Sequence, residues 1–126
     1  MCLLTALQIH GLTTEVPHEV WVLIHNRSRA PRMGQPKIHV VRATGAAESF
    51  GVEVRLVEGV EVRVTTPAKT VADCFRYRDH VGLDVALEAL RDYRRARPSF
   101  SVDALVEASR ADRVHSVLRP YLEAIG

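Results

Sequence analysis

The sequence predicts an α+β fold, a small and mainly antiparallel sheet followed by three or four helices. Three observations predict it. The first half carries short apolar runs rich in β-branched residues, the hydrophobic period changes from two to about 3.6 after Val64, and it stays helical to the end of the chain. Strands gathered first and helices afterwards point away from a doubly wound parallel sheet, in which the two alternate.

The elements follow in order. MCLLTALQIHGL, Met1 to Leu12, sets Leu3, Leu4, Leu7 and Ile9 on one helical stripe, with Gly11 as a C-terminal cap and His10 as a late cation. No Ser, Thr, Asp or Asn precedes the run, so residues 1–11 are expected to be the end of a helix that began earlier. Val20 to Ile24 form an unbroken apolar run that predicts a buried strand over about 19–25, with Trp21 in the core. Asn26 to Pro36 is a loop carrying Arg27, Arg29 and Arg32, and Lys37 to Ala43 is a second strand followed by a polar link through Gly45.

GVEVRLVEGVEVRV, Gly51 to Val64, is the clearest hairpin, with strands at about 51–57 and 60–64. A three-residue loop of Val57, Glu58 and Gly59, with Gly59 at positive φ, sets Leu56 opposite Val60, Val54 opposite Val62 and Val52 opposite Val64. The valines then share one face, and Glu53–Arg63 and Arg55–Glu61 pair on the other. A two-residue loop of Glu58 and Gly59 places Val54 opposite Arg63 and Leu56 opposite Glu61, and the alternation argues against it.

Thr66 before Pro67 is an N-cap ahead of the residue best suited to a helix's first position, and Ala68, Val71, Ala72 and Phe75 recur on one face. This predicts a helix from about Pro67 to Arg78. Gly82 to Arg97 is a second, with Leu83, Val85 or Ala86, Leu87 and Leu90 inward; Pro98 ends it. Ser101 caps a third, running to Arg110 with Val102, Leu105, Val106 and Ala108 inward. Arg113 to Ala124 is a fourth that Pro120 should kink or divide.

The chain's 126 residues suffice for one domain with a core that needs no disulfide or metal staple. A net charge of +2 is too small to argue nucleic-acid binding by itself. Cys2 and Cys74 lie far apart without zinc-site spacing, no apolar run approaches a membrane span, and no secretory leader opens the chain. A cytoplasmic protein is the expectation.

Lys69, Asp73 and Cys74 sit close together, as active-site residues do, yet each has a structural explanation. Cys74 lies in the helix body beside Phe75, where a thiol packs rather than reacts. Lys69 and Asp73 are neighbours at i and i+4, which suits a structural salt bridge or a link to the sheet. The six histidines, His10, His18, His25, His39, His80 and His115, lack metal-ligand spacing, so neither metal nor cofactor is expected. A metal-dependent nuclease using Glu53 or Glu61 is an alternative from a different class, although the hairpin accounts for both residues as charge partners and no further acidic ligand is placed to help. A protein-interaction module built on the C-terminal helices is a third. For nucleic acid, Arg27, Arg29 and Arg32 on the loop and Arg76 and Arg78 at a helix end are the candidate phosphate contacts.

Together ALQIHGLTTEVPHEVWVLI, VRATG, EGVEVRVTTPAKTVADCFRYRDHVGLDVALEALR and RPYLEA resemble the core domain of the AbiEi-type antitoxins, the transcriptional regulators of type IV toxin–antitoxin systems of abortive infection. The similarity runs over nearly the whole chain. Its most specific part is Ser/Thr-Pro-x-Lys-Thr-x-x-Asp-Cys, matched by Thr66, Pro67, Lys69, Thr70, Asp73 and Cys74. The resemblance implies a non-catalytic domain that acts with operator DNA and counters a nucleotidyltransferase-type toxin without a stable complex, with a homodimer left open. It implies a structural role for Thr66, Pro67, Lys69 and Asp73 at a strand-to-helix junction. Members usually carry an N-terminal winged helix-turn-helix, and this sequence starts at the helix that would follow it.

Overall fold

The computed structural model describes residues 1–12, 20–25, 38–57, 59–96 and 100–125. Arg27, Arg29, Arg32 and His18 lie outside them, as does the whole of the predicted arginine loop. Within them the chain is α+β. The order is α1 (Leu3–His10), β1 (Val20–His25), β2 (Ile38–Ala43), α2 (Ala46–Ser49), β3 (Val52–Val57), β4 (Val60–Thr65), α3 (Pro67–Arg76), α4 (Arg78–Val81), α5 (Leu83–Arg95), α6 (Val102–Ala111) and α7 (His115–Ile125). None of these helices is long and apolar enough to cross a membrane.

The strands stand where the sequence puts them, but they make two two-stranded pairs among the described residues in place of one mainly antiparallel sheet. β1 and β2 run parallel, from Val20 beside Ile38 to His25 beside Ala43. Residues 26–37 separate them, and a parallel connection needs about a dozen residues where a hairpin needs two. The uniformly apolar β1 also suits a parallel strand covered on both faces. Met1 and Cys2 are not helical: they bridge the two pairs. Cys2 N donates to Trp21 O at 2.9 Å, Thr65 N to Met1 O at 3.1 Å, and Met1 N to Arg63 O at 2.7 Å. α1 is therefore entered from extended backbone at Cys2, and it ends on Gly11 at φ 70.

The hairpin of β3 and β4 adopts the register that the alternation disfavoured. Val57 pairs with Val60, Leu56 with Glu61, Val54 with Arg63 and Val52 with Thr65, so the connection is the two-residue one and the Glu53–Arg63 and Arg55–Glu61 pairs do not form. Glu53 instead meets Arg55 along its own strand at 3.5 Å. The cause is the lack of a surface to cover the outer half of the hairpin. Val54, Leu56 and Val60 are 60%, 72% and 61% exposed, so gathering the valines on one face would bury nothing. With burial removed, the register follows the turn, where Gly59 takes φ 80, and the anchored base, where Thr66 N donates to Gly51 O at 2.8 Å.

α3 is the central helix, in contact with α1, α4, α5, α6 and α7. Its amphipathic pattern explains this, since every residue from Ala68 to Phe75 is buried. Thr66 Oγ1 accepts from Lys69 N at 3.3 Å to cap it, and Ser101 Oγ caps α6 by accepting from Ala104 N at 3.1 Å. Leu83 and Val102, expected inward, are 39% and 46% exposed because each opens its helix ahead of the turns that reach the core. Ala89, Tyr93 and Ser109 are buried further along the same helices. α7 runs past Pro120 undivided. The missing N–H falls on an exposed residue, where water can serve the freed carbonyl.

Gly51 stands hard against α3. At φ 70, a Cβ there would lie 2.7 Å from the Cβ of Lys69. Gly51→Ala should therefore cost about 2–5 kcal/mol from left-handed strain and overpacking combined. Gly59→Ala, also at positive φ but with nothing within 4 Å, should cost about 1–2 kcal/mol. Urea denaturation of both variants checks the order, and equal costs would mean that Gly51 does not set the spacing between the hairpin and α3.

Candidate functional site

Lys69 is the residue around which the site is built. Its side chain is fully buried, and its ammonium has three oxygens around it: Asp73 Oδ1 at 2.5 Å, Ala47 O at 2.8 Å and Asp112 Oδ1 at 3.1 Å. Three donors thus meet three acceptors, the Asp112 contact being an ion pair without good hydrogen-bond geometry. Asp73 comes from one turn along α3, Asp112 from the end of α6, and Ala47 from α2.

Two carboxyls and one ammonium do not balance if all are charged. Burial, with Asp112 in hydrogen-bond contact beside it, raises the pKa of Asp73 well above the ordinary carboxylate value, and Lys69 opposes the rise without cancelling it. Asp73 thus holds its proton to higher pH than an ordinary carboxyl does. That proton also answers a second observation: Asp73 Oδ2 and both Asp112 oxygens are buried and receive no hydrogen bond from other protein donors. With Asp73 protonated, its O–H supplies the donor that these oxygens otherwise lack. Lys69 itself is held protonated: burial works against its charge, and the two aspartates outweigh it.

Asp112 also connects this cluster to the surface. Its side chain points in to Lys69, while its backbone oxygen accepts from Arg76 Nη1 at 2.9 Å. Outside it lies a polar cleft of about 270 Å³, with Arg76, Arg110, Ala111 and Arg113 along one wall and Thr44 to Ala47 along the other. Tyr77 holds the walls together, donating its hydroxyl to Arg42 O at 3.0 Å, just before Thr44. Among the described residues no carboxylate stands within 4.0 Å of any of the three guanidinium groups, and no Asp or Glu lines the cleft.

The turn from α6 into α7 places these arginines. Arg113 N donates to Arg110 O at 3.0 Å and Val114 N to Ser109 O at 2.8 Å, a helix end that requires left-handed backbone between them. Arg113 takes that conformation at φ 59, although glycine is the usual occupant.

The candidate residues are thus partly assembled. Arg76 lines the cleft, while Arg78 does not; it caps α3 by donating from Nη1 to Phe75 O at 2.7 Å. Arg27, Arg29 and Arg32 lie outside the described residues. Thr66 and Pro67 start α3, and Lys69 and Asp73 are inside the buried cluster. Asp112, Arg110, Arg113 and Gly51 were not legible as site residues: Asp112 stands between Ala111 and Arg113 in a stretch that reads as solvated, and nothing local announces its turn inward.

Glu53 and Glu61 lie on opposite faces of the hairpin and do not converge. Glu53 belongs instead to a small group in which His10 Nε2 approaches Thr65 O at 2.7 Å and Arg55 Nη1 approaches His10 Nδ1 at 3.3 Å. Burial lowers the His10 pKa, which corrects the reading of His10 as a late cation. A neutral ring with Nε2–H donating to Thr65 and Nδ1 accepting from Arg55 fits both contacts. Cys2 and Cys74 are buried free thiols whose pKa values burial raises, the opposite of an activated cysteine. Among the described residues no three His, Cys, Asp or Glu side chains are grouped to hold a metal ion.

The fold and site define a small α+β domain with a sealed Lys–Asp–Asp cluster and an arginine-lined cleft above it. Neither a protein-family model nor a curated protein matches the chain.

The cluster has a pH signature. Because the pKa of folded Asp73 is raised, the stability tied to its proton is complete below the ordinary value of 3.8 and is lost as pH rises through the folded value. Lys69, also raised, keeps its contribution until pH exceeds 10.5 and loses it through its higher folded value. Asp73→Asn, which keeps a donor and an acceptor, should cost about 1 kcal/mol and flatten the decline above pH 3.8. Lys69→Met, which strands a buried carboxylate, should cost about 3–5 kcal/mol. Denaturation midpoints measured from pH 4 upward decide it, and parallel pH profiles for the wild type and Asp73→Asn would remove the Asp73 proton.

Proposed function

We propose that this chain is a non-catalytic regulatory domain of the AbiEi antitoxin type, associated with DNA and opposing a nucleotidyltransferase-type toxin in a type IV toxin–antitoxin system. The resemblance at Thr66, Pro67, Lys69 and Asp73 motivates the family, and the geometry of those residues agrees with a structural role. Thr66 caps a helix, and Lys69 and Asp73 are closed off from any substrate. The observation that carries DNA association is the convergence of Arg76, Arg110 and Arg113 on one cleft, with no carboxylate of the described residues within 4.0 Å of their guanidinium groups. Uncompensated guanidinium groups on one surface attract phosphate, and such contacts grip a duplex without reading its sequence.

Fluorescence anisotropy of the full chain against the DNA upstream of its own gene, in a salt series with scrambled DNA as control, tests the reading. Binding should weaken steeply with salt. Reversal of Arg110 and Arg113 to Glu should weaken it on both DNAs, lowering the slope of log K against log salt by about one per arginine. Reversal at Arg27, Arg29 and Arg32 shows whether that loop shares the contact. Absence of salt-dependent binding to either DNA would sink the DNA-associated reading.

A further inference from the structure

The geometry points to the cleft of Arg76, Arg110 and Arg113 as a discrete seat for one phosphate group, with Arg113 held in a strained backbone conformation in order to line it. The seat deepens the DNA-associated reading, resting on it for which phosphate is bound and not for whether one is.

Arg113 carries the most weight. It occupies the left-handed position of a helix end, at φ 59, where glycine is free of the steric cost that any side chain incurs. The side chain at this costly position is exposed, supports no packing in the core, and stands at the cleft. Backbone strain retained where the residue's only evident use is to present a charge indicates a binding role.

The surroundings agree. Arg76 is held by its bond to Asp112 O and by the Tyr77 ring, whose centroid lies 5.5 Å from its Cζ, so the guanidinium is preorganised beside the cleft. The opposite wall contributes Thr44 and Gly45, where the space that a Cβ would enter is empty of other atoms. The lining otherwise consists of small alanines, which give an anion close access to the backbone. Three cations lining one cleft, with no carboxylate of the described residues within 4.0 Å of their guanidinium groups, repel one another, and a bound anion relieves this. At about 270 Å³ the cleft falls just below the range of about 300–1,000 Å³ for drug-sized ligands, which suits a phosphate and the sugar it esterifies. That chemistry is shared by a nucleic-acid backbone and a free nucleotide.

Isothermal titration of the full chain with inorganic phosphate, a nucleoside monophosphate and duplex DNA tests the seat on wild type, Arg110→Ala and Arg113→Gly. Arg119→Ala, in an exposed pair with Glu123, serves as the control. Wild type should bind phosphate saturably at one site, and Arg110→Ala and Arg113→Gly should each weaken it about tenfold or more while Arg119→Ala leaves it unchanged. Arg113→Gly relieves the strained backbone, so its denaturation midpoint should stay level or rise while binding falls, which separates lost binding from lost folding. A monophosphate bound more tightly than the duplex identifies a free nucleotide as the source. The reverse order with a steep salt slope identifies the backbone.

Saturable phosphate or nucleotide binding without DNA binding would keep the seat and overturn the DNA-associated reading. DNA binding insensitive to both Arg110→Ala and Arg113→Gly would overturn the seat alone. The seat also falls if no phosphate species binds, or if Arg119→Ala weakens binding as much as the cleft variants do.

Discussion

An ammonium group taken out of water must be surrounded by oxygen, and in this protein that need joins four segments of the chain. Lys69 draws Asp73 from its own helix, Asp112 from the end of α6 and the carbonyl of Ala47 from α2, while Gly51 yields the space its side-chain stem occupies. The net stability of such a cluster is small, because desolvation offsets most of the attraction. An arrangement that leaves one member alone in the interior is penalised by an uncompensated buried charge, which favours the packing that brings the end of α6, α2 and α3 together. The raised pKa of Asp73 follows from the same constraint, since two carboxylates beside one ammonium would leave a net charge in the core.

The surface site is the outer side of this arrangement. Asp112 turns its carboxyl inward and its carbonyl outward, so the element that completes the buried cluster also holds Arg76 in place. The left-handed turn that follows swings Arg113 to the same side as Arg110. Arg76 is thereby tied to the core, and a group held in place before binding loses less freedom when it binds. The residues that look most chemical in the sequence, Lys69, Asp73 and Cys74, are among the most completely sealed.

Local chemistry was easy to read and long-range placement was not. The Thr66–Pro67 start of α3, the Ser101 cap, the glycine end of α1 and the positive φ of Gly59 all appear, because each depends on residues only a few positions apart. The hairpin shows where such reading fails. Its valine alternation was a sound basis for register only if something covered the valine face, and Val54, Leu56 and Val60 stand in the open. The parallel pairing of β1 with β2 was missed for a related reason: apolar runs announce strands, but direction is set by how the intervening chain returns.

By itself the sequence determined the α+β class, the helix starts and the buried face of α3, since these follow from periodicity and capping within single segments. Only the tertiary structure decided that Asp112 completes the Lys69 cluster and that Arg76, Arg110 and Arg113 share a cleft. Asp112 stands 43 positions beyond Lys69, counting from residue 69 to residue 112. Its neighbours read as an ordinary charged surface. What turns it inward is the shortage of oxygen around a buried ammonium, a demand that arises only when α3 and α6 are packed together.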